Sequence, residues 1–575
     1  MESTNTFHAH LQANTVKKDA ATSMIKPAPT LSALEATVSV EEGTSDLLHD
    51  PKVNLDDAVL HANGHSAAMV RQFSWISALG LGFSITNSWI GYLSCFGQNL
   101  IYGGPQSCIF GLIVAFFAQG LVTIGLSELG SAFPSSGGQY HFCYILAPPS
   151  NKRFAAYVVG WMSMVAWWVV TCSGISLAAV TLSGLVNFWH PNFVATQWEI
   201  YLIYVAVATV TVIPLFIAPK KMHWIVQATL YLSVIGCVLF LIVVCAMHRS
   251  TQPASFLTRS GYGESGWNAG TAWVLGIANA MYAYGATDGA MHISEEISQP
   301  GRRVPQVMIM TMVIGLLTSL PLMIALCLFV LIHSCSQYCQ ILTSAWRRSF
   351  ITDLDAVRYA PLPSMEIVYQ ATQNKGVTTF LFLWLWLAYM GSLPSQWVTC
   401  GRISWAFARD NGVPFAHFFS HIDHKLGFPV RTTLAALLFS WLYGLLYLAS
   451  TTAFNSIVTS AVLFLNITYA IPQGILLKQG RKKSLPTRYL NLGWFGYVCN
   501  GFAVSWTILL AVVICFPPKL PVSVASMNYT SVVLLGLSIL IMGLWWGVGR
   551  HKFEGPKVDW EMLEEANRVS KAKLR

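Results

Sequence analysis

The chain has 575 residues, of which 54% are hydrophobic and only 10% are charged, and its formal net charge is +9. A soluble protein carries roughly a quarter charged residues because it must keep a wettable surface, so this composition predicts a membrane protein. It excludes collagen-like, disordered and coiled-coil chains. It also excludes a nucleic-acid-binding protein, because excess Lys and Arg in a polytopic chain set the topology.

The N-terminal segment differs from the rest of the chain. Residues 1–70 contain nine Asp or Glu against four Lys, and they contain no continuous apolar run. Segments that cannot bury apolar surface stay unfolded. We therefore expect residues 1–70 to be a disordered tail.

Twelve apolar runs follow this tail, each near or above the ~20 residues that span a hydrocarbon core. They lie at about 73–101, 107–132, 155–188, 200–218, 224–247, 270–292, 304–333, 377–400, 432–449, 455–477, 494–516 and 529–548. The pattern predicts an all-α polytopic membrane protein with twelve transmembrane helices.

The positive charges between the runs predict the orientation. Fifteen Lys and Arg fall in loops on the N-terminal side of the membrane and seven fall in the opposite loops. Four of those seven lie in one long loop at about 334–376, where the charge rule is weak. We therefore expect both termini to be cytoplasmic, with residues 551–575 as a C-terminal tail.

Two of the runs are interrupted by small and polar residues. The first carries them at 80–91 and the sixth at 280–289. Unwound backbone is tolerated in a bilayer only where it faces protein or a water-lined cavity. The first and sixth runs occupy corresponding positions of two five-helix halves, as in an inverted-repeat transporter. The alternative is that Gly and Ser simply let helices pack closely.

Several motifs carry a family resemblance, and they extend from about residue 70 to 550. They include FSWISALGLGFSITNSWIGY (73–92), ELGSAFPSSGGQYHF (128–142), DGAMHISEEISQPGRRVP (288–305), GRISWAFARDNGVP (401–414) and FPPKLPVSVASMNYTSVV (516–533). The chain resembles the amino acid, polyamine and organocation (APC) permease superfamily, and within it the fungal choline and GABA permease group. The TNSW and MNY segments look most similar to choline-type members.

The resemblance implies a LeuT-like fold of five plus five inverted helices, with helices 1 and 6 broken. It implies a permease domain over 71–550, with repeats at 71–250 and 265–480 and two further helices at 490–550. It also implies alternating access, uptake driven by protons, no cofactor and a location in the plasma membrane.

Two carboxylates, Glu128 and Asp288, fall well inside the apolar runs. An ionisable group inside a span costs several kcal/mol, so its presence suggests a function. Asp288 follows the break in run six, where it could pair with a cationic amine or carry the coupling proton; the alternative is a helix-capping Asp. We expect Glu128, at the end of run two, to form a gate or a structural ion pair with an arginine.

The break in run one predicts a substrate site. It would expose backbone amides at a half-helix N-terminus, whose partial positive charge suits a carboxylate. A quaternary ammonium would instead need aromatic faces. The candidate substrate-binding residues are Ser84, Ile85, Thr86, Asn87, Ser88, Trp89, Tyr282, Tyr284 and Asp288, with ordinary packing as the alternative for each ring.

His292 lies four residues after Asp288 and is followed by Glu295 and Glu296. The string lacks the closing His of a metal motif, so metallopeptidase chemistry is excluded. The group is either a pH-sensitive gate, with Arg302 and Arg303 as partners, or a solvated charged loop.

The sequence thus predicts a secondary active transporter that imports a small nitrogenous compound: a choline-like amine, GABA or an amino acid. Its partners are this substrate, a proton and membrane lipid. A non-transporting nutrient sensor of the same fold is the alternative, and a membrane enzyme is disfavoured because few titratable groups lie at membrane depth. Cys335 and Cys339 lie in a loop, where a local disulfide is an open possibility.

Overall fold

The computed structural model describes residues 55–66, 68–248, 253–328, 352–449, 451–523 and 527–573. Within these ranges the chain is all-helical, and a single isolated bridge between Phe73 and Ile297 is its only β pairing. Cys335 and Cys339 lie outside the described residues. The longer helices are α1 (Leu55–Ala62), α2 (Trp75–Thr86), α3 (Ser88–Ala132), α4 (Gln139–Leu146), α5 (Lys152–Trp189), α6 (Gln197–Ile217), α7 (Met222–Met247), α8 (Ala269–Ala280), α9 (Pro300–Leu328), α10 (Thr352–Tyr359), α11 (Pro363–Thr372), α12 (Lys375–Arg409), α13 (Val430–Ala449), α14 (Thr451–Gln479), α15 (Phe495–Val513), α16 (Thr530–Leu544) and α17 (Trp560–Lys573).

Ten helical segments in the described part of the chain are long and apolar enough to span a membrane, so the protein is a multi-pass integral membrane protein. The first, Trp75–Ala132, contains two of the twelve predicted runs. The sixth predicted run is absent from the ten because its helix is divided into pieces of 12, 4 and 10 residues. Each of the ten segments coincides with predicted apolar runs.

Side-chain caps explain where several helices begin. Ser74 accepts a hydrogen bond from the amide of Ser77 at the start of α2. Asn268 and Asn374 cap α8 and α12 in the same way. Each of these caps satisfies an amide that the first helical turn leaves without a partner.

The long helix α3 bends once, near its first third. Gly104 has a φ of +69°, a left-handed conformation that side chains rarely adopt, and Pro105 follows it. A Cβ at residue 104 would also overlap the side chain of Tyr262. The glycine therefore permits the bend that separates the first predicted run from the second.

The broken segments lie at the centre of the helix packing. Helix α2 packs against α7, α9, α12 and the short 3-10 helix Thr287–Glu296. Helix α5 packs against α12 and α14, which enclose the same central region. In contrast, only 17% of the most apolar 18-residue stretch of the last spanning segment, Thr530–Lys552, is buried. Helix α16 therefore lies at the periphery.

Helices from the two ends of the chain pack together on one side of the molecule, which we call the termini side. The amide of Asp559, just before α17, donates to the carbonyl of Ala62 in α1 at 2.9 Å. Val59, Leu60 and Ala62 are buried. The prediction of a disordered tail is therefore wrong for the described residues between 55 and 70, because α1 finds an apolar partner in α17. The preceding residues lie outside the described ranges.

Candidate functional site

Asn87 forms the first break. Helix α2 ends at Thr86, Asn87 adopts a left-handed conformation with φ 33°, and α3 resumes at Ser88. The Asn87 side chain fixes this turn, because its Nδ2 donates to Ser392 Oγ at 3.3 Å and its Oδ1 accepts from Ser233 Oγ at 2.7 Å. Asn tolerates this backbone conformation better than most residues.

The second break follows α8. A short 3-10 turn, Met281–Tyr284, leads to extended backbone at Gly285 and to Ala286, whose φ is +59°. An alanine in this conformation costs roughly 1–2 kcal/mol, so the surrounding packing must hold it there. The chain then re-enters helical structure at Thr287.

A cavity of about 60 Å³, measured as the space open to the centre of a water-sized sphere, lies between the two breaks. One buried water needs about 10–15 Å³ on this measure, so the cavity has room for a small molecule. Among the residues that the structure describes, no charged side chain lines the cavity. Its walls are Ser84, Ile85, Thr86, Asn87, Ile90, Gly91, Val170, Ser173, Gly174, Leu177, Tyr282, Gly285, Ala286, Tyr389, Ser392, Gln396, Ala461, Val462 and Leu465.

A second cavity of about 140 Å³ adjoins the first, on the side opposite the termini. Tyr282 and Ser173 line both cavities, and their hydroxyl groups are 2.6 Å apart. Ser94 of the second cavity is hydrogen-bonded to Tyr389 of the first. Two pairs of hydrogen-bonded side chains therefore separate the central cavity from the second one.

The predicted substrate residues divide into two groups. Ser84, Ile85, Thr86, Asn87 and Tyr282 line the central cavity. The others do not, and they point into the packing around it: Ser88; Trp89, which donates to Ser233 Oγ at 2.9 Å; Tyr284, whose ring packs on Phe116 at 5.7 Å; and Asp288. The aromatic faces available to a ligand are thus those of Tyr282 and Tyr389.

Asp288 is fully buried in a polar cluster of its own. Its Oδ1 accepts from the Tyr469 hydroxyl at 2.6 Å. Its Oδ2 accepts from Gln139 Nε2 at 2.6 Å and Trp167 Nε1 at 3.2 Å, and it lies 3.1 Å from His292 Nε2. Gly289, the residue after Asp288, packs against the cavity wall, because a Cβ at residue 289 would lie 2.8 Å from Ile85 Cδ1.

The geometry of His292 implies a proton between the imidazole and the carboxyl group. The other ring nitrogen, Nδ1, lies 3.0 Å from the carbonyl oxygen of Ser136, an acceptor, and so Nδ1 carries a hydrogen. A hydrogen bond between Nε2 and Asp288 then needs one further proton, held either by the imidazole or by the carboxyl group.

Two buried ion pairs lie between this cluster and the termini side. Arg409 binds Glu295 through both terminal nitrogens, at 3.0 and 3.1 Å. Arg402 binds Glu296 through Nε at 2.7 Å and a terminal nitrogen at 3.2 Å. The solvated-loop interpretation is therefore wrong, because both carboxylates are buried.

The predicted partners of these carboxylates are also wrong. The side chain of Arg303 donates to Gln306, and that of Arg302 lies over the ring of Tyr489. The true partners belong to the end of α12, more than 100 residues away along the chain. Local sequence spacing could not identify them.

Glu128 was predicted to form either a gate or a structural ion pair with an arginine, and the structure shows it in ion pairs with two arginines. Its carboxylate binds Arg481, Arg488 at 2.7 Å and the amide of Leu492 at 3.1 Å. These contacts join the end of α3 to the segment after α14. The site therefore lies on the termini side, away from the cavity.

A further polar cluster joins the N-terminal segment to this side. His65 Nε2 is 3.4 Å from His141 Nδ1, and His65 Nδ1 is 3.9 Å from Asp410. Burial raises the pKa of Asp410 to about 6, against the opposing effect of Arg409. Burial likewise lowers the pKa of His65 well below its ordinary value and that of His141 to about 3, so both rings are neutral.

Sequence reasoning missed the site residues of the other spans. Ser173, Tyr389 and Gln396 line the cavity, and Gln139, Trp167 and Tyr469 bind Asp288. A glutamine inside an apolar run was the available signal for Gln396, because an uncharged amide in a span also needs a polar partner.

The family model and the related proteins that match this chain all describe permeases or transporters. The family model described as amino acid permease matches residues 73–538. The choline transporter of Saccharomyces cerevisiae is 31% identical over 86% of this chain and 83% of its own length. The GABA-specific permease of the same yeast is 27% identical over 87% and 86%. The swainsonine transporter of Arthroderma benhamiae is 27% identical over 83% and 90%.

Proposed function

The chain belongs to the amino acid permease family and is a transporter, and we propose that it imports a small nitrogenous compound together with a proton. The observation that carries this proposal is the cavity between two helix breaks, with the buried pair of Asp288 and His292 near it. The candidate cargo is a choline-like amine, GABA or an amino acid. The choline and GABA transporters among its relatives support this range.

The proposed architecture is a LeuT-like fold of twelve spans, with five plus five inverted helices followed by two more. Counting the bent segment Trp75–Ala132 as two spans and the broken segment Ala269–Glu296 as one adds two to the ten. The breaks then fall in the first and sixth spans, as inverted repeats require. The repeats would cover 71–250 and 265–480, with the last two spans in 490–550.

The proposed orientation places both termini in the cytoplasm and the protein in the plasma membrane. The excess of Lys and Arg in the loops of the termini side supports this orientation. Import then moves the cargo from the side with the second cavity towards the ion pairs of Arg402 and Arg409.

The proposed mechanism is alternating access, and the unequal thickness of the two barriers around the cavity supports it. Towards the proposed outside, the hydrogen bonds of Tyr282 and Tyr389 separate the cavity from the second cavity. Towards the termini, the Asp288 cluster and two buried ion pairs must all rearrange. This conformation is therefore closed on the cytoplasmic side, and opening it requires those ion pairs to separate.

We assign the coupling proton to Asp288 and His292. Gly289, which follows Asp288, packs against Ile85 at the cavity wall, and Glu295 and Glu296 follow His292 in the chain. Loss of the shared proton would change the charge of a buried pair that lies in the same short segment as both structures. Proton release and rearrangement of the inner barrier would thereby be linked.

Uptake in cells that lack their own permeases tests the proposal. Labelled choline would accumulate, and choline, GABA, polyamines and amino acids would be compared as competitors. Net accumulation of one of these compounds is the expected result. Binding without net accumulation would instead support the sensor of permease fold and contradict the transport proposal.

A further inference from the structure

The amide of Gln396 has no hydrogen-bond partner although its side chain is only 7% exposed. It lines the central cavity, and within the described residues neither its oxygen nor its nitrogen makes a hydrogen bond. Leaving a buried polar group unpaired costs about 1–3 kcal/mol. An occupant of the cavity with a complementary group would remove this cost.

A glycine in the cavity wall leaves open space in front of the Gln396 amide. Gly174 faces it from α5, and a Cβ at residue 174 would lie 2.6 Å from Gln396 Oε1. A larger residue there would fill the space in front of the amide. The absent side chain thus gives a ligand access to both the donor and the acceptor of Gln396.

The backbone around the cavity favours a cation. Ser84, Ile85 and Thr86 form the C-terminal turn of α2, and all three line the cavity. Tyr282, at the C-terminal end of the α8 segment, also lines the cavity. Helix C-termini carry partial negative charge. In the first turn of α3, Ser88 and Trp89 do not line the cavity, whereas Ile90 and Gly91 do.

Two aromatic rings add to this preference. The hydroxyl of Tyr282 is held by Ser173 and that of Tyr389 by Ser94, so both rings are fixed in place. A ring face attracts an organic ammonium electrostatically. In the described part of the chain, no basic side chain lines the cavity to oppose a cation.

We infer that the occupant is a small organic cation bearing a hydroxyl group, and that Gln396 selects for this hydroxyl. The inference rests on the proposed transport function and narrows its cargo. A hydroxyl both donates and accepts, so it can pair with the oxygen and the nitrogen of one primary amide. A carboxylate has no hydrogen to donate and could pair only with the nitrogen of that amide.

Competition against uptake of labelled choline by the full-length protein tests the inference. The informative pair is unlabelled choline and propyltrimethylammonium, in which a methyl group replaces the hydroxyl. One neutral hydrogen bond is worth about 0.5–1.5 kcal/mol, so we expect choline to be roughly three- to tenfold the better inhibitor. In Gln396→Leu the two compounds should inhibit equally.

Gln119→Leu is the matched control. Gln119 is another buried glutamine with no partner for its amide in the described part of the chain, but it does not line the cavity. This variant should keep the wild-type ratio of inhibition constants. The inference would be overturned if the ratio of the two inhibition constants were the same in wild type and in Gln396→Leu. It would also be overturned if GABA inhibited uptake as well as choline does.

Failure of the inference is distinguishable from failure of the proposed function. A wild-type inhibition ratio near one, in a protein that does accumulate choline, overturns the selection by Gln396 alone. That measurement needs no variant, so it decides the matter even if Gln396→Leu does not fold. Absence of any uptake of choline, GABA or amino acids overturns both.

Discussion

His292 Nε2 lies 3.1 Å from Asp288 Oδ2, and both side chains are fully buried. The Ser136 carbonyl fixes a hydrogen on the other ring nitrogen, at 3.0 Å. A hydrogen bond between the two side chains therefore needs one shared proton. This buried pair is the one to which we assign the coupling proton of the proposed transport cycle.

Replacing His292 by Gln should remove the pH dependence of uptake. Glutamine can still donate to the Ser136 carbonyl, but it cannot bind a proton. Wild-type uptake should rise as the external pH falls, whereas uptake by His292→Gln should be flat. Uptake measured across external pH checks this.

His190→Gln is the control for that experiment. His190 is exposed and follows α5 on the side opposite the termini. Its removal should leave the pH profile of the wild type. A wild-type profile in His292→Gln as well would remove the histidine from the coupling account.

Cys95 should report access to the second cavity. Its side chain lines that cavity, beyond the hydrogen bond between Tyr282 and Ser173. A membrane-impermeant thiol reagent added to intact cells should therefore inhibit uptake. Substrate in excess should slow the inhibition, since occupancy favours the closed site.

Two variants separate this effect from general alkylation. Cys95→Ala should transport and resist the reagent. Cys245→Ala removes an exposed cysteine at the end of α7 and should stay sensitive. Continued inhibition of Cys95→Ala would contradict an accessible second cavity lined by Cys95.

Breaking the buried pair of Arg402 and Glu296 should destabilise the protein. Loss of one partner leaves an uncompensated buried charge, which costs about 3–5 kcal/mol. We expect a lower thermal midpoint for Arg402→Gln in detergent. The double variant Arg402→Gln with Glu296→Gln should recover much of the loss.

An exposed arginine provides the comparison. Arg568 is 65% exposed and lies 3.6–3.8 Å from Glu564 and Glu565. Such surface pairs are worth about 0–1 kcal/mol, so Arg568→Gln should change the midpoint little. Equal effects of Arg402→Gln and Arg568→Gln would contradict a buried inner barrier.

Asp410 should make stability depend on pH. Burial raises its folded-state pKa from 3.8 to about 6. Its stabilising contribution is therefore complete below pH 3.8 and is lost as the pH rises through about 6. Between about pH 5 and about pH 7.5 the wild type should lose stability relative to Asp410→Asn, by about 1.4 kcal/mol.

The comparison with Asp410→Asn is essential, because neighbouring groups titrate as well. Asp410 faces His65, Tyr140, Arg409 and Glu295. Burial lowers the pKa of His65, so the stabilising contribution of this residue is lost as the pH falls. The pH dependence from His65 therefore has the opposite sign to that from Asp410. The difference between the two stability curves isolates the carboxyl group, and parallel curves would contradict its raised pKa.

The sequence predicted those features that depend on local pattern. Apolar runs identified the spans, and the small polar residues around Asn87 and Gly285 identified where helices are interrupted. Asp288 drew attention because a carboxylate within an apolar run is costly. These signals lie within one span each.

Features that join distant spans could not be predicted. The partners of Asp288 come from Gln139, Trp167 and Tyr469, and those of Glu295 and Glu296 come from the end of α12. The placement of aromatic rings could not be predicted either. Tyr389 lines the cavity and Trp89 does not, because tertiary packing sets how each helix is rotated about its axis.

Uptake by purified protein in vesicles, with and without an inward proton gradient, tests proton-coupled import most directly. Wild type should concentrate labelled choline above equilibrium only with the gradient, and Asp288→Asn should exchange choline without concentrating it. Equal wild-type accumulation with and without the gradient would contradict the account.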